Sequence, residues 1–515
     1  MEVQQNLGEM PDRPILDFLV RYFVAEVNWM DQMVYPPWFL EQYQLWWTAK
    51  RPSVFGIEFA TLLLRMCSYA TQFLPCPSYC IERIRGMSLA DIRSACDDVA
   101  DNLAVTCTHL NPKGSLLRVQ HLVFAGLKSR CEGRTNDFRN ALGTAIQVAQ
   151  KIGLDKDATQ WVPDMNELEK ETRRRIFCNL YIWDSVLSRQ LDRIAILHGG
   201  LSPENMPRMR LGPDIDDTHT LEGFTERILQ ARLANFWKKT GPKLGSEYDI
   251  VLAEERYEML CSDFLATLPS AFALQPDKQW DERLPMLPHQ RELLHISLFE
   301  SICCNFRPAL LQEPTQVQEL PKYKQVLLSS QRKALAVAAL YVLRGASTLH
   351  ALMGGSQTRF TGIILPTFEA AALLVYLCMD RTFCGEDEPH RASMNNSDPL
   401  GAGIVSSKRE ECMQAVRDAL NRLQMLAEVS HMAEVGAQTL AQLLRKMAKG
   451  PRKPQKRTKP SPPPPEGPAQ AAEIPNDMPM SEYPDPDPVT LAELMTSVPA
   501  FNVDDMNWEA ISSGL

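Results

Sequence analysis

The sequence lacks the short patterns that mark most soluble enzymes. It contains no HExxH, no P-loop, no GxSxG and no GxGxxG, so zinc-protease, nucleotide-phosphate, nucleophile-elbow and dinucleotide chemistry have no local signature. The nine histidines are dispersed. His289 and His295 share a segment, but a six-residue step is poor for a shared metal site on a helix. Long apolar runs are also scarce. Ala334–Leu343 and Ala370–Met379 are the longest, and each is short of the roughly 20 residues a membrane helix needs. They read as buried helices, and no membrane partner is expected. No apolar–polar alternation is long enough to build a sheet. The 13 cysteines show no paired spacing that suggests a disulfide framework or zinc site, which fits reduced core residues of an intracellular chain. The opening, MEVQQNLGEM, is acidic and polar, unlike a secretory signal.

Charge of one sign is missing from two stretches. Residues 445–459 hold eight Lys/Arg and no acid, whereas residues 461–515 hold ten Asp/Glu and no Lys or Arg. The remainder carries 46 basic against 53 acidic residues. A body of that sign is a poor candidate for direct DNA contact, which depends on phosphate neutralisation. At 515 residues a length prior suggests about three domains, but helical folds run longer as one unit.

What is present is a dominant helix. In PDMNELEKETRRRIFCNLYIWDSVLSRQLDRIAILH (163–198), Leu168, Thr172, Ile176, Leu180, Trp183, Leu187 and Leu191 recur at steps of three and four, one face of an α-helix. Phe177 and Tyr181 widen the stripe. Asp164 with Glu167 reads as a capping box. Glu169 and Glu171 precede Arg173 and Arg175 by four residues, the favourable order for helical ion pairs.

This helix resembles the signature helix of the fungal-specific transcription factor domain, the regulatory middle homology region of fungal zinc-cluster regulators. Glu171, Arg174, Arg175, Phe177, Leu180, Tyr181, Asp184 and Arg193 stand at the matching positions. Asp192 and Ile194 replace a Gly and a Pro of the family's turn; Asp155 and Lys156 replace a His-Arg pair after the preceding helix, Ala141–Asp157. An opening helix before Pro36-Pro37 and an Arg307-Pro308 element also match, so the likeness spans about residues 12–445. Without strand-length alternation the fold class is all-α, an extended multi-helix domain of packed helix pairs, and the Pro-rich composition after Gly450 makes the C-terminal extension disordered. The resemblance implies a nuclear transcription regulator acting on a pathway such as nutrient use or secondary metabolism. The signature charges are expected to join neighbouring helices through partly buried ion pairs. The family's six-cysteine zinc module has no counterpart here, since Cys76 and Cys80 are the only close early pair, so no cofactor is expected in this chain. DNA would then be reached through a missing module or a partner protein. A small-molecule effector and a homodimer are further partners the family suggests.

Helices are expected at 57–73, from a Ser88 cap, at 116–127, 138–152, 221–239, 249–268, 289–304, 325–350, 361–380 and 408–448. The helical domain covers 1–448, with a polar insertion at 384–407. A basic, then Pro-rich linker covers 449–489. Its cations Arg445, Lys446, Lys449, Arg452, Lys453, Lys456, Arg457 and Lys459 form a candidate nuclear localisation signal, or else a solubilising spacer. The acidic–hydrophobic tail, 490–515, spaces Phe501, Asp504, Asp505, Trp508 and Ile511 as an activation segment would for a coactivator groove. The rival is a helix docked on the body. One motif points elsewhere: Asp97, Asp98 and Asp101 form DDxxD, which in all-helical enzymes can hold magnesium and a prenyl diphosphate. A solvated acidic face is the simpler reading, and no second metal motif accompanies it. A helical scaffold without transcriptional output is the third alternative.

Overall fold

The computed structural model describes residues 2–51, 53–74, 83–156, 165–191, 193–208, 222–242, 245–312, 314–355, 358–380, 383 and 409–449. Sixteen α-helices account for most of them. They are α1 (Glu2–Gly8), α2 (Arg13–Tyr22), α3 (Pro36–Thr48), α4 (Val54–Ala70), α5 (Leu89–Leu110), α6 (Leu116–Cys131), α7 (Thr135–Lys151) and α8 (Glu167–Gln190). There follow α9 (Thr225–Thr240), α10 (Ile250–Met259), α11 (Leu287–Phe306), α12 (Pro314–Glu319), α13 (Lys322–Leu352), α14 (Thr361–Met379), α15 (Arg409–Leu426) and α16 (His431–Lys449). Among the described residues the only sheet is a two-residue hairpin, Arg83–Ile84 against Met87–Ser88. The fold is all-α.

The helix starts follow side-chain chemistry. Ser53, Ser88, Ser115 and Asn166 each accept a hydrogen bond from the backbone N–H three residues on, satisfying a donor that no carbonyl within the helix can reach. Pro36 opens α3 at the position where its missing N–H is harmless. Two expectations are corrected. The cap of α8 is Asn166, bonded to the Glu169 N–H at 2.7 Å; Asp164 lies outside the described residues. The helix expected over 408–448 is two helices, because the chain turns at 427–430. There Ser430 Oγ accepts from Ala433 N–H and restarts the run as α16.

Helices pack mainly as sequential pairs: α4 with α5, α6 with α7, α8 with α9, α13 with α14 and α15 with α16, and α11 lies against α13. Two large apolar cores result, with two small clusters around Leu294 and Leu328 beside them. The first is built from Ile15 to Ala234 and includes Phe23, Phe59, Phe124, Ile146 and Leu180. The second runs from Leu233 to Leu443 and includes Phe306, Leu335, Phe368 and Leu423. Trp29 and Phe360 pack against both. Val54–Phe73, Lys322–Leu352 and Thr361–Met379 are each long and apolar enough to cross a membrane by composition alone. The apolar runs read above as short are parts of the last two. Between 61% and 83% of their most apolar windows is buried inside the protein, so here they are core helices.

Close approach of α6 to α7 depends on Gly126. A Cβ there would stand 2.9 Å from Phe138 Cδ2 and 3.1 Å from Ala141 Cβ. Gly126→Ala is therefore expected to destabilise the protein by about 1–3 kcal/mol through overpacking, despite alanine's better helix propensity. Thermal unfolding checks this: a melting temperature equal to or above that of the unmodified chain would show that the pair separates freely.

Candidate functional site

Helix α8 carries the signature residues, and its buried face is polar as well as apolar. Glu171 is fully buried. Its carboxylate accepts from Arg174 Nη1 at 3.2 Å and Arg175 Nε at 3.1 Å, the i+3 and i+4 neighbours on the same helix face, and from the Arg208 backbone N–H at 3.1 Å. Arg175 reaches Gln32 Oε1 at 3.2 Å and Glu222, and its guanidinium lies 4.6 Å from the Phe224 ring centroid. Gln32, at φ 46°, donates to the Gly223 carbonyl at 2.6 Å. One ionic cluster thus fastens the segment after α2 and the approach to α9 onto α8. The Glu169–Arg173 pair also forms, at 3.4 Å on the surface.

The rest of the signature divides. Phe177 and Leu180 are core side chains. Tyr181 is buried in the same face, and its hydroxyl donates to Asn235 Oδ1 at 2.6 Å; burial pushes its phenol up to about 12. Asp184 corrects the ion-pair expectation. Its carboxylate accepts from the backbone N–H groups of Ile196 at 3.0 Å and Leu197 at 2.8 Å, so it folds the following loop back onto α8. Arg193 is exposed and is not part of the cluster. Residues absent from the sequence reading complete the polar layer. Asn179 donates to the Asp31 carbonyl at 2.7 Å and accepts from Arg227 Nε at 2.7 Å, and Arg227 also stands 3.6 Å from the Asp31 carboxylate. Their partners are 48 or 148 residues away in sequence, so no local spacing marks them.

Two of the three DDxxD carboxylates, Asp97 and Asp101, are held by cations of the protein. Asp97 pairs with Arg65 at 3.3 Å and Lys128 at 2.8 Å, and Asp101 with Arg65; Asp98 accepts from Ser94. Among the described residues no three His, Cys, Asp or Glu side chains are grouped to hold a metal. Arg445 and Lys446 are exposed near the end of α16. Arg452, Lys453, Lys456, Arg457, Lys459, the insertion 384–407 and the tail residues Phe501, Asp504, Asp505, Trp508 and Ile511 lie outside the described residues.

Between the two cores is a cavity of about 140 Å³. Asp31, Arg130 of α6, Arg189 of α8 and Arg227 of α9 line one side, and Glu300 of α11 and Glu369 of α14 the other. Burial raises both glutamates, Glu300 to about 8 with the Glu369 charge adding to the effect, and lowers Arg189. Beside it, Glu226 is buried to 1% exposure. Burial lifts it to about 7 against the pull of Arg227, and its Oε2 has no hydrogen-bond partner.

The described residues form an all-α body with a charged, loop-fastening central helix, and no three His, Cys, Asp or Glu side chains among them are grouped to hold a metal. Comparison with known proteins identifies its family. Residues 22–202 match the family described as the fungal specific transcription factor domain. The chain is 46% identical over 457 residues to the transcription factor xilB of Penicillium rubens, covering 86% of this chain and 67% of that protein. It is 38% identical over 452 residues to the probable transcription factor sol4 of Alternaria solani, covering 86% and 80%. The chain belongs to this family of fungal transcription factors, and it is a transcriptional regulator.

Two outcomes follow from these contacts. Asp184→Ala leaves two backbone N–H groups without their acceptor, and is expected to cost about 2–4 kcal/mol; Asp184→Asn, which keeps one acceptor, falls between. A melting temperature unchanged in Asp184→Ala would mean that the 191–197 loop does not depend on this carboxylate. Glu226 binds its proton more tightly folded than unfolded, so it favours the folded state below about pH 4.5 and its contribution is lost as pH rises to about 7. Glu226→Gln should remove that component, so the variant gains roughly 3 kcal/mol on the unmodified chain between pH 4.5 and 8. Denaturant titrations at those two pH values measure it, and parallel losses in both proteins would contradict it.

Proposed function

We propose that the helical body is the regulatory part of a nuclear, pathway-specific activator, and that the acidic segment 473–515 recruits the transcription machinery. Family membership supports the class. The feature that carries the finer reading is the charge division near the C-terminus: eight Lys/Arg without an acid in 445–459, then ten acids without Lys or Arg in 461–515. A basic run suits nuclear import. Acids spaced among Leu491, Leu494, Phe501, Trp508 and Ile511 keep apolar groups solvated until a coactivator groove buries them. The body contributes no surplus of cations for phosphate contacts. DNA is therefore reached through a zinc module outside this stretch or through a partner protein, and the body transmits the state of an effector. No enzymatic reaction enters this reading, because Asp97 and Asp101 are neutralised internally.

Residues 473–515 fused to an unrelated DNA-binding domain should activate a reporter, and Phe501→Ala with Trp508→Ala should weaken that activation several-fold. A silent fusion that accumulates normally in the nucleus would remove the activation segment from this account.

A further inference from the structure

The cavity between the two cores has an uneven distribution of charge and an uneven state of satisfaction. Arg130, Arg189 and Arg227 enter it from the first half of the molecule, and Glu300 and Glu369 from the second. Asp31 is committed to Arg227. The arginines are not fully committed in return. Arg227 is 5% exposed, and its Nη2 has no hydrogen-bond partner. Nor do Nε and Nη1 of Arg189, both shut off from solvent. Leaving such donors unsatisfied costs about 1–3 kcal/mol each, so a buried site with several of them is set up for an acceptor. One further group in the wall is freed by sequence. Pro366, inside α14, has no N–H for the Gly362 carbonyl four residues back, and both residues line the cavity.

The charges narrow the chemistry. Three guanidiniums face Asp31 and two buried glutamates; burial raises both, and the Glu369 charge adds to the effect on Glu300. Carboxylates that resist ionisation are weak partners for the guanidinium donors left unpaired beside them. Guanidinium forks match a carboxylate's two oxygens, and the remaining glutamate oxygens suit a donor hydroxyl. The volume of about 140 Å³ is close to that of cavities that accept a six-carbon ring.

We propose that this cavity binds a short hydroxy-monocarboxylate of about six to eight non-hydrogen atoms, its carboxylate held by Arg189 and the free Nη2 of Arg227 and its hydroxyl donating to Glu369 or Glu300. The grips come from both halves, so the ligand bridges α8 and α9 to α11 and α14. The assignment names the effector class for the regulatory body and rests on that reading.

The test is titration calorimetry on the full chain with the sodium salts of L-lactate, 2-hydroxybutyrate and 2-hydroxyvalerate, and with L-lactamide as the uncharged match for lactate. Saturable binding of at least one acid is expected, with no measurable binding of lactamide. Arg189→Gln, shown to be folded by circular dichroism, should weaken the best acid about tenfold to a hundredfold, the loss of one or two charge-assisted hydrogen bonds. Arg189→Lys, which keeps the charge without the fork, should fall between. Absence of binding by all three acids, equal binding of lactamide, or an unchanged affinity in Arg189→Gln would each overturn the proposal. The titration does not involve transcription. A failed titration leaves the regulatory reading of the body standing, and a silent reporter fusion leaves the binding site standing.

Discussion

The first half of the structure depends on one buried carboxylate. Glu171 has no access to solvent, and a carboxylate in that position is tolerable only if cations and N–H donors replace its water. Arg174 and Arg175 supply the cations from the next turn of α8, and Arg208 supplies a backbone N–H. Arg175 then needs acceptors of its own, and finds them in Gln32 and Glu222. Each partner is thus required by the one before it. The result is that two segments far apart in sequence, one following α2 and one preceding α9, are fixed against the same helix. Apolar packing alone would place these helices but would leave their connections free, because loops offer few methyl groups to bury.

The same logic operates at the other end of α8 with a different chemistry. Asp184 points at two successive backbone N–H groups, and Tyr181 and Asn235 hold the chain a few residues further on: Asn235 accepts from both the Tyr181 hydroxyl and the Leu201 N–H. One helix therefore organises a loop at its start through ion pairs and a loop at its end through backbone acceptors. The seam between the two cores is bridged similarly. Arg359 donates to Gln72 Oε1 at 3.3 Å and to the Val429 carbonyl, and Gln290 donates to the Gly223 carbonyl at 2.8 Å. Trp29 and Phe360, which pack against both cores, add apolar contact to these polar ones, and the cavity lies at the same seam.

Helix existence and type were legible because the 3.6-residue period is written into each segment separately. The pairs Glu171–Arg175 and Glu169–Arg173 were legible for the same reason, being local to one helix. The break at 427–430 was not, because α15 and α16 carry compatible stripes and the interruption depends on Ser430 capping a new start. The cap of α8 was misplaced by two residues, since Asp164 and Asn166 are both good caps and both have a glutamate three residues on. Asp184 was misread because a signature of charges suggests pairing, whereas its partners are backbone N–H groups, which every residue but proline possesses. The cavity was invisible in the sequence. Arg130, Arg189, Arg227, Glu300 and Glu369 come from five helices, and nothing in their neighbourhoods distinguishes them from surface charges.

That invisibility has a bearing on how the body connects to the C-terminal segments. Glu369 lies on α14, which packs against α16. Leu440 and Leu443 bury one face of α16 in the second core, while Arg445 and Lys446 emerge on its exposed side. The basic run therefore begins on a helix anchored in the core, one helix–helix contact away from the cavity wall. Among the described residues α14 is the one helix that both supplies a cavity carboxylate and carries an internal proline. Pro366 removes a hydrogen bond within its first two turns, so the part of α14 that faces the cavity is held by one backbone hydrogen bond fewer than the turns after it.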